Sequence, residues 1–100
     1  MSQCRREENA IHVIAIHAIS DPEKFWSAAA DLDLPQGTAL HSAIPNQDGS
    51  RAVCVWESDS VGTVRDFVEG EVGDVSDNEY YEVNDKNAMG LPGASVAAGT

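Results

Sequence analysis

The sequence predicts one domain of the α+β class, built from a four-stranded antiparallel sheet and two helices. Three observations predict it. The chain has 100 residues, which suits a single domain with its own core. Four segments have the β-branched or alternating apolar character of strands, and two have the spacing of amphipathic helices. The order of these segments along the chain is β-α-β-β-α-β.

The first strand and the first helix follow from adjacent segments. Ile11–Ile19 is nearly continuous in apolar, β-branched residues, which is typical of a central strand covered on both faces. Ser20 can cap a helix with Glu23 three residues later, as in a capping box, and Pro22 is tolerated in the first turn. Leu34–Gly37 ends this helix. Its apolar side recurs at helical spacing in Phe25, Ala28, Ala29 and Leu32.

The next two strands form a predicted hairpin. Thr38–Ile44 and Arg51–Glu57 both read as strands. Asp48-Gly49 between them is typical of a two-residue turn in which both positions have positive φ. This turn sets a register in which Ile44 lies opposite Val53.

A second helix and a fourth strand complete the pattern. Asp59 or Ser60 can cap the helix. Asn78–Val83 reads as an edge strand, because its aromatic residues favour a strand and its acids suit an edge. The apolar stripe of the helix consists of Val61, Val64, Val68, Val72 and Val75.

These six elements predict a ferredoxin-like, split βαβ sheet in which the first and third strands are central. Two helices can cover only one face of such a sheet. We expect residues 1–9 to form a flexible N-terminal lead, residues 10–92 the domain, and residues 93–100 a flexible C-terminal tail.

The alternation of side chains divides the strands into two predicted faces. The predicted register pairs His41 with Trp56. We expect the more apolar set, which also includes Ser42, to face the helices: Ile14, Ile16, Ala18, Leu40, Ile44, Val53, Val55, Tyr81 and Val83. The mixed set then forms the open face: Val13, Ala15, His17, Ala39, His41, Ala43, Cys54, Trp56, Tyr80 and Glu82. That face is too apolar for water, so we expect a homodimer that pairs two of them around a cavity.

Charge excludes two classes of partner. Seventeen acids and six bases give a formal net charge of −11, so nucleic acid and anionic membranes are not expected partners. Cys4 and Cys54 are interpreted as two free thiols. Together with a polar N-terminus, they predict a cytoplasmic protein.

Three segments carry a resemblance to a known family: HVIAIHAISDPEKFW, NQDGSRAVCVWESDSVGTVRDFVE and NAMGLP. Across residues 11–92 the chain resembles the dimeric α+β barrel superfamily, and within it a small actinobacterial-type family of largely uncharacterised proteins. Superfamily relatives include cofactor-independent monooxygenases, haem-degrading enzymes, chlorite-dismutase-like proteins and a nickel-binding group. Haem degradation fits least, because the second helix, residues 61–75, lacks the histidine ligand of that subgroup.

Two functions remain as hypotheses. The first is binding of a small ligand or a divalent transition metal in the dimer cavity, with ligand-cavity residues His17, His41, Trp56 and Tyr80. The candidate metal ligands are His17, His41, Cys54 and Glu82, which offer nitrogen, sulfur and oxygen donors. The alternative is a cofactor-independent monooxygenase acting on a small aromatic metabolite, with His17 or His41 as the base.

Overall fold

The structure, a computed structural model, describes residues 10–91 and confirms the ferredoxin-like α+β fold. The predicted lead 1–9, the predicted tail 93–100 and Pro92 lie outside the described residues. Within them, no helix is long and apolar enough to cross a membrane. The elements are β1 Ile11–Ile19, α1 Pro22–Ala29, β2 Ala39–Pro45, β3 Arg51–Ser58, α2 Val61–Val72 and β4 Ser76–Glu82.

The sheet has the strand order β2-β3-β1-β4, with every neighbouring pair antiparallel. The prediction that the first and third strands are central is therefore confirmed. These are the two most apolar strands, because central strands are covered by neighbours and layers that edge strands lack.

Both helices begin at side-chain caps. Asp21 caps α1 by accepting a hydrogen bond from the backbone N–H of Lys24. Ser60 caps α2 in the same way, through the N–H of Thr63. The predicted Ser20 cap is wrong, because the Ser20 hydroxyl donates instead to the carbonyl of Val75 and ties the start of α1 to the start of β4.

The helices cover the opposite sheet face from the predicted one. Val13, Ala15 and His17 of β1 are buried under the helices, together with Cys54 and Trp56 of β3. Phe25 of α1 and the valine stripe of α2 complete this core: Val64, Val68 and Val72. Most of the set expected to face the helices faces solvent instead, and its larger exposed members are Ile44, Val53 and Tyr81. Leu40 packs against the core, as predicted.

The physical reason lies in the polar atoms of the mixed set. The ring of His17 bonds to Asn78, and the hydroxyl of Tyr80 bonds to Glu69. Because these groups find partners inside the protein, their burial carries little penalty. Polarity alone therefore chose the wrong face for β1, β3 and β4, and since side chains alternate with a period of two, every residue of those strands was inverted. In β2, Leu40 and His41 lie on their predicted sides, because a β-bulge follows Leu40.

The β2–β3 hairpin keeps the predicted register but differs in two details. Ile44 lies opposite Val53, as predicted. Asp48 does not have positive φ, so the turn is not the predicted two-residue type; instead Asn46 and Arg51 form the last hydrogen-bonded pair, and Gly49 alone has positive φ, of 76°. A β-bulge between Leu40 and Ser42 pairs Leu40, not His41, with Trp56.

The turn of this hairpin is also held against α1. The indole N–H of Trp26 donates to the carbonyl of Gly49 at 3.0 Å. A Cβ at Gly49 would lie 3.1 Å from the same indole nitrogen, so both the backbone conformation and the contact favour glycine here.

We expect Gly49→Ala to lower the free energy of unfolding by about 1–2 kcal/mol, because alanine is strained at positive φ and crowds Trp26. The matched control is Gly70→Ala, on an exposed part of α2 where a Cβ would meet nothing. That variant should gain about 0.5–1 kcal/mol from helix propensity. Urea unfolding followed by circular dichroism measures both, and equal shifts in the two variants would contradict this account of the turn.

Candidate functional site

The residues predicted to line one ligand cavity lie on two sides of the sheet. His17 and Trp56 line a cavity between the sheet and the helices, as does Cys54. Tyr80 lies on the same sheet face, because it pairs with Ala15. His41 bonds to Glu57 on the helix-free face. The structure therefore brings His17 and Trp56 together but separates them from His41.

The cavity between the sheet and the helices is small. Its volume is about 30 Å³, which suits about two water molecules. Small-molecule sites usually have volumes of roughly 300–1,000 Å³. An aromatic metabolite therefore has no room in this cavity without rearrangement of the core.

The four predicted metal ligands are likewise not brought together. His17 pairs with Asn78 along β4, whereas Glu82 pairs with Val13, four residues further along β1; this offset corresponds to about 13 Å. Burial raises the pKa of the Cys54 thiol to about 11, so the metal-binding thiolate is scarce at neutral pH.

His17 instead begins a chain of hydrogen bonds within the fold. Its Nδ1 lies 2.6 Å from Oδ1 of Asn78, so the neutral ring carries its proton on Nδ1. The Asn78 amide donates to Glu69 of α2, and Tyr80 donates to the same carboxylate at 2.8 Å. These bonds hold the pKa of Glu69 below its usual range. The chain fastens β1 and β4 to α2.

Burial shifts the pKa values of the two ionisable rings in this hydrogen-bond series, His17 and Tyr80, in opposite directions. It lowers the pKa of His17, although the bond to Asn78 and the charge of Glu69 partly oppose the shift. It raises the pKa of Tyr80, and the Glu69 carboxylate raises it further. Both rings are therefore neutral near pH 7, which is the state a buried structural group favours.

The helix-free face has an apolar middle between two polar ends. One central row across the sheet contains Ser42, Val55, Ile14 and Tyr81, and the other contains Ile44, Val53, Ile16 and Glu79, so both are apolar in the middle with one polar residue at a sheet edge. One flanking row contains Arg51, Ala18 and Asp77, and the other contains Ala39, Glu57 and His12. This arrangement is typical of an interaction surface, with an apolar centre and a polar rim.

Three side chains with nitrogen or oxygen donor atoms meet at one polar end of this face. His12 and Glu57 are direct cross-strand partners, so their side chains share a face. The β-bulge of β2 re-aims His41 to the same place. His41 Nε2 lies 2.8 Å from Oε1 of Glu57, and donor atoms of all three residues lie within 4.8 Å of one another.

Sequence reasoning found only one of these three residues as a site candidate. His12 and His17 lie on opposite faces of the sheet, and the predicted metal site included His17. The alternation of β1 and β3 pairs His12 with Glu57, and this pairing is readable once the register is known. The bulge at His41 has no signal in the hairpin sequence.

The fold and this site define an α+β protein of ferredoxin-like topology with a histidine–carboxylate cluster on its helix-free face. The chain belongs to a family described as a domain of unknown function, DUF8652, whose model matches residues 4–91. No curated protein and no solved structure is similar enough to count as a match. The resemblance to the dimeric α+β barrel superfamily stays a prediction.

Burial of neutral His17 makes the stability of the fold depend on pH. Because the folded pKa is lowered from 6.5, the unfolded chain binds the proton more readily. We expect the free energy of unfolding to be highest above pH 6.5 and to fall as the pH drops below it towards the folded pKa. Urea unfolding between pH 8 and pH 5 measures this dependence.

The controls are two single substitutions of histidine. His17→Gln keeps an amide donor near Asn78 and should flatten the dependence. His41→Gln, in which the ring removed is on the helix-free face, should retain it. An undiminished slope in His17→Gln would contradict the assignment to His17.

Proposed function

We propose that this protein is a homodimer that pairs the helix-free faces of two sheets and binds a small ligand or a divalent metal between them. The observation that carries the proposal is the apolar middle of that face. Ile44 is 61% exposed and Val53 is 40% exposed, and both belong to its central rows. Covering such side chains yields roughly 25 cal/mol for each Å² of apolar surface removed from water.

A second copy is the occupant that the composition of the face favours. Within β1, β2 and β3 the central rows contain no formal charge, and their one charged member, Glu79, lies on the edge strand β4. Two copies can therefore meet over β1 and β3 without burying an unpaired ion there. Most soluble homo-oligomers are closed by a twofold axis, which brings the same patch of each subunit together. Each chain has a formal net charge of −11, and salt weakens the repulsion between the exposed charges of the two copies.

The position of the bound ligand follows from the space available. The cavity on the helix side has room for about two water molecules, so binding there is limited to very small species. Two apposed sheets would enclose a second space that includes the polar end with His12 and Glu57. A cytoplasmic location is part of this proposal, since it keeps the Cys54 thiol reduced.

The monooxygenase hypothesis has less support. His17, one of its two possible bases, is engaged with Asn78 and faces a cavity too small for an aromatic substrate. His41 bonds to Glu57 at the rim of the helix-free face. The hypothesis stays a prediction that would need a substrate held between two sheets.

We expect Val53→Glu to convert the dimer to a monomer, because it puts a charge between Ile16 and Ile44 in the centre of the interface. Sedimentation equilibrium should then give 10.7 kDa instead of twice that mass. Met89→Glu is the matched control: it removes an 83% exposed apolar side chain outside the sheet and adds the same charge.

The expected result is a dimeric wild type, a dimeric Met89→Glu and a folded, monomeric Val53→Glu. Circular dichroism of Val53→Glu shows whether the variant keeps its secondary structure. A monomeric wild type, or a Val53→Glu variant that stays dimeric, would exclude pairing through this face.

A further inference from the structure

We propose that His12, His41 and Glu57 bind one divalent transition-metal ion per chain. The inference rests on the proposed function, since it names the ligand that the helix-free face would bind. All three donors come from one chain, however, so the site can exist whether or not two sheets pair. Neither His12 nor Glu57 is among the metal ligands that the sequence predicted.

The spacing of the donor atoms is close to that of a metal site. Oε1 of Glu57 lies 2.8 Å from Nε2 of His41 and 3.9 Å from Nε2 of His12. Ligand bonds of about 2.0–2.1 Å in tetrahedral geometry place neighbouring donors about 3.3 Å apart. These two separations lie on either side of that value, and the donor atoms of all three residues lie within 4.8 Å of one another. Binding would require side-chain rotations that make the three separations more equal.

The environment of the His12 ring supports the metal site independently of the donor spacing. Both of its ring nitrogens are buried from solvent, and neither has a hydrogen-bond partner among residues 10–91. Its contacts with carboxylates, 3.9 Å to Glu57 and 3.6 Å to Asp85, are too long for hydrogen bonds. Burial of an imidazole without hydrogen-bond partners costs free energy, because its nitrogens lose their hydrogen bonds to water. Coordination of a metal ion would offset this cost.

Asp85 lies where a carboxylate that orients a metal-binding histidine is expected. Metal-binding histidines usually donate their other ring N–H to a carboxylate or carbonyl, which orients the ring. With Nε2 of His12 towards Glu57, Nδ1 faces Oδ1 of Asp85. Asp85 is therefore a positioning residue that would hold the His12 ring and make it a stronger ligand.

The chemistry of the donors selects the class of metal. Two imidazole nitrogens and one carboxylate oxygen suit Zn²⁺ and its neighbours in the first transition row, whereas Mg²⁺ and Ca²⁺ prefer oxygen alone. Three protein ligands leave at least one coordination position open. Because the site lies in the flanking row of the helix-free face, that position is open to water, a small ligand or the second subunit.

The test is titration of the untagged full chain with Zn²⁺ followed by calorimetry, in a Cys4→Ser background that removes the second thiol of the sequence. We expect one Zn²⁺ per chain. His41→Ala and Glu57→Gln should each weaken binding by at least about tenfold. The matched control is Glu79→Gln, which removes an exposed carboxylate in an apolar row of the same face and should bind as the wild type does.

Titration of Val53→Glu separates this inference from the dimer. Loss of dimerisation with retained binding of one Zn²⁺ per chain supports the site as a property of the single chain. Absence of saturable binding in the wild type would overturn the site. So would equal affinities in Glu57→Gln, Glu79→Gln and the wild type, which would leave His41 and Glu57 as a hydrogen-bonded pair. In either of those cases a dimeric wild type would leave the interface proposal intact.

Discussion

The structure depends on one constraint: two helices can cover only one face of a four-stranded sheet. Side chains alternate along each strand, and paired residues of neighbouring strands share a face. The face on which one residue of β1 lies therefore fixes the faces of all the residues of β3 and β4 that pair with β1. Placing Val13 under the helices also places Trp56 and Glu82 on that side. The same choice turns Ile14, Val53 and Tyr81 away from the helices, and it thereby creates the apolar surface.

The buried face shows how a core accepts polar residues. His17 is 2% exposed, yet its Nδ1 has a partner in Asn78, which in turn donates to Glu69. Such a series of hydrogen bonds holds two strands and a helix in one relative arrangement, whereas apolar contacts allow neighbouring elements to shift against one another. The polar residues of β1 and β4 are therefore part of the framework, and the side chains with the simplest hydrophobic character remain available for contact with another molecule.

The candidate metal site depends on an irregularity of the sheet. Regular pairing of β2 with β3 would place His41 opposite Trp56, on the buried face. Because of the β-bulge, Leu40 lies opposite Trp56 against the core, and His41 forms a hydrogen bond with Glu57 on the helix-free face. One extra residue in an edge strand thus places Leu40 against the core and brings His41 into the cluster with His12 and Glu57.

The elements, their order, the central positions of β1 and β3, and the pairing of Ile44 with Val53 could all be predicted from the sequence. These follow from local periodicity, caps and turn residues, which act over a few residues. The face that meets the helices could not be predicted, because it depends on hydrogen-bond partners such as Asn78 and Glu69, which are distant in sequence from His17. The bulge at His41 could not be predicted either, since it depends on how Leu40 fits the core around Trp56. The cluster of His12, His41 and Glu57 depends on both features, the face that the helices cover and the β-bulge. Its members could therefore not be grouped from the sequence.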